Sequence, residues 1–216
     1  SARTELFAES TRELTERRRS GASRTTIVDP VRAREEDLVL FHTEAYVDFV
    51  KESSKVGEGY LDYGDTPSFK GVYEASLFPV GNTLNGLDLI MEKKFDHFFN
   101  PVGGLHHARR ERAGGFCVFN DAAMAITKLL DTKGIERVAY VDIDAHHGDG
   151  VFYAFESDPR VIIGDIHEDG RFLYPGTGSA LETGTKGAEG TKLNIPMQPR
   201  AAMQSSGTPL TGLMRS

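Results

Sequence analysis

Two short stretches concentrate the side chains able to do chemistry. One is Asp142-Ile143-Asp144-Ala145-His146-His147-Gly148-Asp149-Gly150, and the other is Gly103-Gly104-Leu105-His106-His107-Ala108. Two carboxylates and an imidazole on one face are costly to bury without a cation or hydrogen-bond partners. Asp oxygens and His nitrogens are donors that a zinc-like divalent ion accepts. If extended backbone continues past residue 141, Asp142, Asp144 and His146 point the same way. The tandem histidines follow two glycines, which let the backbone approach closely and put both imidazoles at one mouth. Asp142 and Asp149 are more carboxylates than one ion needs, so they are candidates to orient the imidazoles through their second ring nitrogens.

The elements that must position these groups follow from patterning. Residues 138–141 (VAYV), 161–163 (VII) and 193–197 form short β-prone runs that read as strands, and 96–100 is strand-like. Thr43 is placed to cap a helix with an apolar stripe at Tyr46, Phe49 and Val50, with His42 a structural residue before it. Residues 72–91 have helical spacing broken by Pro79, which predicts a kink or two shorter helices. Residues 121–130 form another helix, with Ala125, Ile126 and Leu129 inward, and 53–66 a surface loop. Near the start, Arg17, Arg18 and Arg19 end a helix and Ser20 to Ser23 form a loop. Strands alternating with helices predict an α/β fold with a largely parallel sheet, whose functional groups gather beyond the carboxyl ends of the strands. The glycine-rich stretch 176–190 lacks the spacing of a phosphate loop.

Composition narrows the classes. The 216 residues are 39% hydrophobic and carry a net charge of -7, which argues against a nucleic-acid footprint and suits a cationic partner. No apolar run approaches a membrane span, so no membrane partner is expected. The single cysteine, Cys117, excludes an internal disulfide and fits the cytoplasm; a buried, inert thiol is expected there.

Four segments in order, GGLHHA, AGGFCVFNDAA, VDIDAHHGDG and DIHEDGRFLYPGTG, resemble the histone deacetylase superfamily. The similarity is greatest to the bacterial and archaeal branch of acetoin-utilisation proteins and acetylpolyamine amidohydrolases. It runs from about Leu40 to Met197 and implies a three-layer arginase/deacetylase-like fold, with 1–197 a partial domain and 198–216 an irregular tail. The implied activity is zinc-dependent hydrolysis of the amide of acetyl-lysine, on a protein or on a related acetylated amine. Asp144 and His146 match metal ligands for one Zn2+. His107, oriented by Asp149, matches the general base, and His106, oriented by Asp142, an electrostatic partner; the sequence alone leaves the two histidines equivalent. Asp65 matches a rim residue that grips substrate, or is a plain turn residue. Gly115, Phe116 and Tyr174, with Leu173 beside it, match the wall of an acyl-lysine tunnel, although Phe116 also suits ordinary core. His167, Glu168 and Asp169 are expected to shape the tunnel loop. Asp142 and the backbone around Asp144 and His146 match a K+ site.

The resemblance also implies parts not found here: a strand before residue 1, a third carboxylate ligand on a later strand, and a glycine-rich loop bearing a tyrosine. The chain therefore reads as incomplete at both ends. A one-base shift in a coding of 202–206 would give Asp-Ala-Glu-Phe, nearer the family pattern, so the tail reads as a frame-shifted segment. Two alternatives stand beside the hydrolase. One is an inactive relative that binds acyl-lysine or a partner. The other is an arginase-like hydrolase with two manganese ions.

Overall fold

The computed structural model describes residues 25–199. The expectations for 1–24 and for the tail beyond 199 lie outside the described residues. Packing divides the chain after Pro30, and every helix and strand among the described residues belongs to the unit that begins at Val31.

A short helix α1 (Glu35–Leu38) leads to α2 (Glu44–Val56), whose first turn is capped by Thr43: its hydroxyl accepts from the Tyr46 amide at 3.3 Å. α2 stops at Gly57, which takes the left-handed conformation (φ 75°) that glycine adopts without penalty. The face it buries is Tyr46, Val47, Val50 and Ser54, not the stripe through Phe49, which is exposed.

α3 (Val72–Met91) runs as one helix through Pro79, not as the two shorter helices that were one expectation. Proline there forfeits one helical hydrogen bond. The flanking turns bury Ser76, Val80, Gly81, Thr83, Leu84 and Leu87, and the Asn100 amide binds the Pro79 carbonyl at 2.9 Å. That burial outweighs one lost bond. The strand-like 96–100 is irregular instead: its polar residues set up no alternation, and Asn100 spends its side chain on α3.

α4 (Asp121–Leu130) is capped by Asn120, which accepts from the Ala123 amide at 2.8 Å; it buries Ala123, Met124 and Ile126. Ala125 is only half-buried. β1 (Val138–Asp142), α5 (Asp149–Phe155), β2 (Val161–Glu168) and β3 (Lys192–Met197) complete the order. The three strands pair in parallel as β1-β2-β3, with Asp142 beside Asp165 and Asp165 beside Asn194. The α/β reading therefore holds, with a parallel sheet flanked by helices.

Strand alternation gives the sheet two unlike faces. Val138, Val161 and Ile163 face the helices and join Phe41, Phe119, Phe152 and Met124 in one core. The opposite face shows Val141, Ile162, Ile166, Leu193 and Met197 to solvent. Parallel sheets are ordinarily covered on both sides. Among the described residues no second helical layer covers that face.

His42 lies inside this core, 3% exposed, as the structural residue expected. Its Nε2 accepts from the Asn120 amide at 2.9 Å, and its Nδ1 donates to the Arg110 carbonyl at 3.3 Å. Burial pushes its pKa down to about 4. The unfolded imidazole titrates near 6.5. The neutral folded form thus contributes stability in full above about 6.5, and that contribution is lost as pH falls toward 4. Urea unfolding at pH 7 and pH 4.5 should show a loss of roughly 2 kcal/mol from this residue. His42→Asn should be less stable at pH 7 but lose less on acidification than the unmodified chain; an unchanged pH slope in the variant refutes the assignment.

Candidate active site

The catalytic candidates meet at the carboxyl end of β1, where parallel α/β folds gather functional groups. Extended backbone stops at Asp142, and residues 144–146 form a bend. The shared face expected for Asp142, Asp144 and His146 is therefore broken. Asp142 turns inward, 6% exposed, while the Asp144 and His146 side chains stay 54% and 41% exposed. The bend is closed locally, because Asp142 Oδ1 accepts from the Asp144 amide at 3.0 Å and Asp144 Oδ1 from the His146 amide at 2.8 Å.

The loop bearing His106 and His107 is delivered by α4 from below. The buried Asp121 carboxylate accepts from the Gly104 and Leu105 amides at 3.1 and 2.8 Å and from the Thr83 hydroxyl at 2.6 Å. His106 Nδ1 then lies 2.6 Å from Asp142 Oδ2, and His107 Nδ1 lies 2.7 Å from Asp149 Oδ1. The two Nε2 atoms are 3.1 Å apart. With each Nδ1–H held by a carboxylate, a hydrogen bond between the Nε2 atoms would need a proton on one of them, making that ring an imidazolium. Burial alone would lower the His106 pKa, but its bond to Asp142 and the nearby Asp144 and Asp165 outweigh burial and raise it. His106 is the natural holder of that charge, and His107 Nε2 the acceptor. The arrangement can store and pass a proton.

The orienting carboxylates are themselves fixed. Against the upward pull of burial, hydrogen bonds from His106, Tyr140 and the Asp144 amide hold Asp142 down at about 2. Asp149 is likewise lowered, since His107 and the Arg109 guanidinium at 2.8 Å outweigh its burial. Tyr140 and Arg109 were not anticipated from sequence. Strand period does flag Tyr140, two residues before Asp142 on the same face, with its hydroxyl 2.6 Å from Asp142 Oδ2.

His146 comes within 5.9 Å of His107 between ring centroids, and Tyr174 within 5.0 Å of His107. Tyr174 is carried by the loop after β2, which is bolted at its far end: His167 Nε2 donates to the Gly178 carbonyl at 2.9 Å, and His147 Nδ1 lies 2.8 Å from Thr177 Oγ1. His147 is fully buried, and its Nε2 has no hydrogen-bond partner among the described residues, Asp165 Oδ2 lying 4.0 Å away. Burial, with Asp149 and Asp65 beyond, pushes the Tyr174 phenol up to about 12. Gly115 packs between His107 and Tyr174, so closely that a Cβ there would overlap the His107 ring. Phe116 sits beside it at a turn tip, φ 64° and 72% exposed, and is not core. Cys117 is buried behind this turn, and burial pushes its thiol up to about 12, an inert state.

A groove of about 380 Å³ leads outward from His107, lined by Asp62, Tyr63, Asp65, Arg112, Asp149 and Tyr174 among others. Asp65 thus lies on its rim, whereas Phe116 and Leu173 do not line it. Asp144 and His146 are bonded to each other, Oδ1 to Nδ1 at 2.9 Å. No three His, Cys, Asp or Glu side chains among the described residues converge to hold a metal. A catalytic zinc takes three protein donors and leaves one position for water. Two donors do not make that site, so the residues present do not fit a complete one.

No helix among the described residues is long and apolar enough to cross a membrane. Residues 2–210 match the family described as histone deacetylase domain. The acetoin utilization protein AcuC of Bacillus subtilis (strain 168) is 45% identical over 178 residues, 79% of this chain and 46% of the relative. AcuC of Staphylococcus aureus (strain MSSA476) is 37% identical over 183 residues, 80% of this chain and 46% of the relative. Among solved structures, an HDAC homolog from Aquifex aeolicus aligns with a TM-score of 0.72 at 30% identity, over 82% of this chain and 49% of that one. An HDAC homolog complexed with SAHA aligns equally, TM-score 0.72 at 31% identity, over 81% and 49%. The chain spans about half the length of the relatives it matches.

Proposed function

Because the chain belongs to the histone deacetylase family, we propose that it serves hydrolysis of the amide of an acetylated lysine or a related acetylated amine. The observation that carries this reading is the pair of buried imidazoles, each held through Nδ1 by its own carboxylate, with His107 lining an open groove. Amide hydrolysis needs a group that takes a proton from water and returns one to the leaving amine. His107 is the ring of the pair that lines the groove, so both transfers are assigned to it. Asp149 keeps its tautomer, and Arg109 keeps Asp149 ionised. His106 remains charged beside the developing negative charge. Tyr174 and the backbone of Gly115 flank His107 and form a slot for the aliphatic stem, where each buried methylene contributes about 0.8 kcal/mol. The cytoplasm is the compartment this reading implies.

Zinc dependence belongs to the same proposal, with Asp144 and His146 as two of the donors. A zinc titration of the purified chain should give only weak binding, in the micromolar range or above, in contrast to a closed three-ligand site. Stoichiometric zinc that survives dialysis overturns that expectation. The Asp142, Asp144 and His146 stretch stays the proposed place for K+.

With zinc in excess, the chain should release acetate slowly from an Nε-acetyl-lysine peptide. His107→Ala should cut that rate by about 10²-fold or more, the usual contribution of a general base. Turnover indifferent to His107→Ala sinks the mechanism. The two-donor metal site favours one second reading, an acyl-lysine binder that does not hydrolyse; peptide binding without acetate release selects it.

A further inference from the structure

The groove above His107 holds charges that its own residues do not satisfy. Asp62 is spent internally: its carboxylate accepts from the Gly64, Asp65 and Thr66 amides at 3.0, 2.8 and 2.9 Å and from the Thr66 hydroxyl at 2.6 Å. Asp149 and Arg109 are spent on each other and on His107. Two groups are left over. Among the described residues Asp65, which is exposed, has no side-chain bond, and half-buried Arg112 has no carboxylate partner. The Arg112 guanidinium lies 5.2 Å from the centroid of the Tyr63 ring, and its Nη1 is 3.4 Å from the Tyr63 hydroxyl. Tyr63 is 92% exposed, so it stiffens the guanidinium without covering it. Arg112 and Asp65 do not pair with each other, yet both line the same wall.

A guanidinium held flat, with its remaining N–H groups open, is built for a carboxylate, which it takes through two parallel hydrogen bonds. An unpaired carboxylate alongside takes an N–H. We infer that the outer end of the groove reads the α-carbon head of the substrate: beside Asp65, the rim residue that the family resemblance already assigns to substrate, Arg112 takes a free α-carboxylate. The preferred substrate class is then Nε-acylated lysine bearing its own carboxylate, as the free amino acid or as the last residue of a peptide. An acylated lysine inside a chain offers Arg112 only a neutral carbonyl, and an acetylated polyamine offers it nothing. The inference rests on the acyl-lysine reading, with the stem directed to His107.

Isothermal titration of the 216-residue chain in zinc-containing buffer tests it with three ligands that differ only at the head. These are Nα,Nε-diacetyl-lysine, its methylamide, and N-acetylcadaverine. The free carboxylate should bind at least about tenfold more tightly than the methylamide, as a charge-assisted pair supplies. Arg112→Gln should bring the two within twofold by weakening the carboxylate alone, and Arg112→Lys should retain part of the preference. Equal affinities in the unmodified chain, or a preference that survives Arg112→Gln, overturn the inference while the acyl-lysine reading stands. If none of the three ligands binds, both fall. The comparison between ligands needs no variant, so a misfolded substitution leaves the test intact.

Discussion

Asp121→Ala is expected to lower unfolding stability by about 3 kcal/mol and to disorder the histidine pair without touching either ring. Asp121 is 1% exposed and accepts from the Thr83 hydroxyl and from the Gly104 and Leu105 amides. Alanine leaves these donors without their acceptor. Each donor that stays buried and unsatisfied costs about 1–3 kcal/mol, while the half-open Gly104 amide recovers part of its loss from water. The same amides fix the backbone immediately before His106, so the short His106–Asp142 contact loosens with them. Urea midpoints give the first effect, and imidazole N–H resonances of the carboxylate-bound protons give the second. Asp121→Asn keeps the shape and two lone pairs, so it should lose roughly half as much. A cost below about 1 kcal/mol for alanine, with the resonances intact, would mean that the loop is held by something else.

Asp121 also shows where sequence stops being legible. Strands and helices could be read because burial of one face writes a period into the chain: Val138, Tyr140 and Asp142 alternate inward, and Thr43 marks a helix start. The pairing of each histidine with its carboxylate was legible too, because surplus carboxylates beside tandem imidazoles have few other uses. Contacts between segments distant in sequence leave no such mark. Asp121 sits in the first turn of α4 and looks like an ordinary acidic start residue, yet its partners lie 16, 17 and 38 positions away. Arg109 and Arg112 follow the histidines in a run of charges that reads as solvated surface; only the fold reveals that one is spent on Asp149 and the other is open. Pro79 fails as a breaker for the same reason, since packing along α3 carries more free energy than the one hydrogen bond it lacks. Extrapolating β1 past Asp142 failed because side-chain acceptance by Asp142 and Asp144 bends the backbone, a local competition that residue types suggest but do not impose.

Gly150→Ala is expected to cost about 3 kcal/mol or more and to pull Asp149 away from His107. Gly150 lies in the first turn of α5, and a Cβ there would meet the His106 and Ala108 carbonyl oxygens and the His107 carbonyl carbon, the last at 2.7 Å. All three are backbone atoms, so no rotamer change relieves the overlap. Overpacking against side chains commonly costs about 1–3 kcal/mol, and a rigid backbone puts this case at or above the upper end. The helix and the histidine loop must separate, and two bonds lie across that gap: the Val151 amide to the His106 carbonyl at 3.2 Å and His107 Nδ1 to Asp149 at 2.7 Å. Gly164 supplies the control. It lies within β2 with nothing inside 4 Å of a Cβ, so Gly164→Ala should change stability by less than about 1 kcal/mol, and an alanine there reduces unfolded-chain freedom. Thermal melts of the two variants side by side separate close approach from any general cost of replacing glycine. Equal melting temperatures would show that α5 does not need to touch the histidine loop, and the orienting role assigned to Asp149 would lose its structural basis.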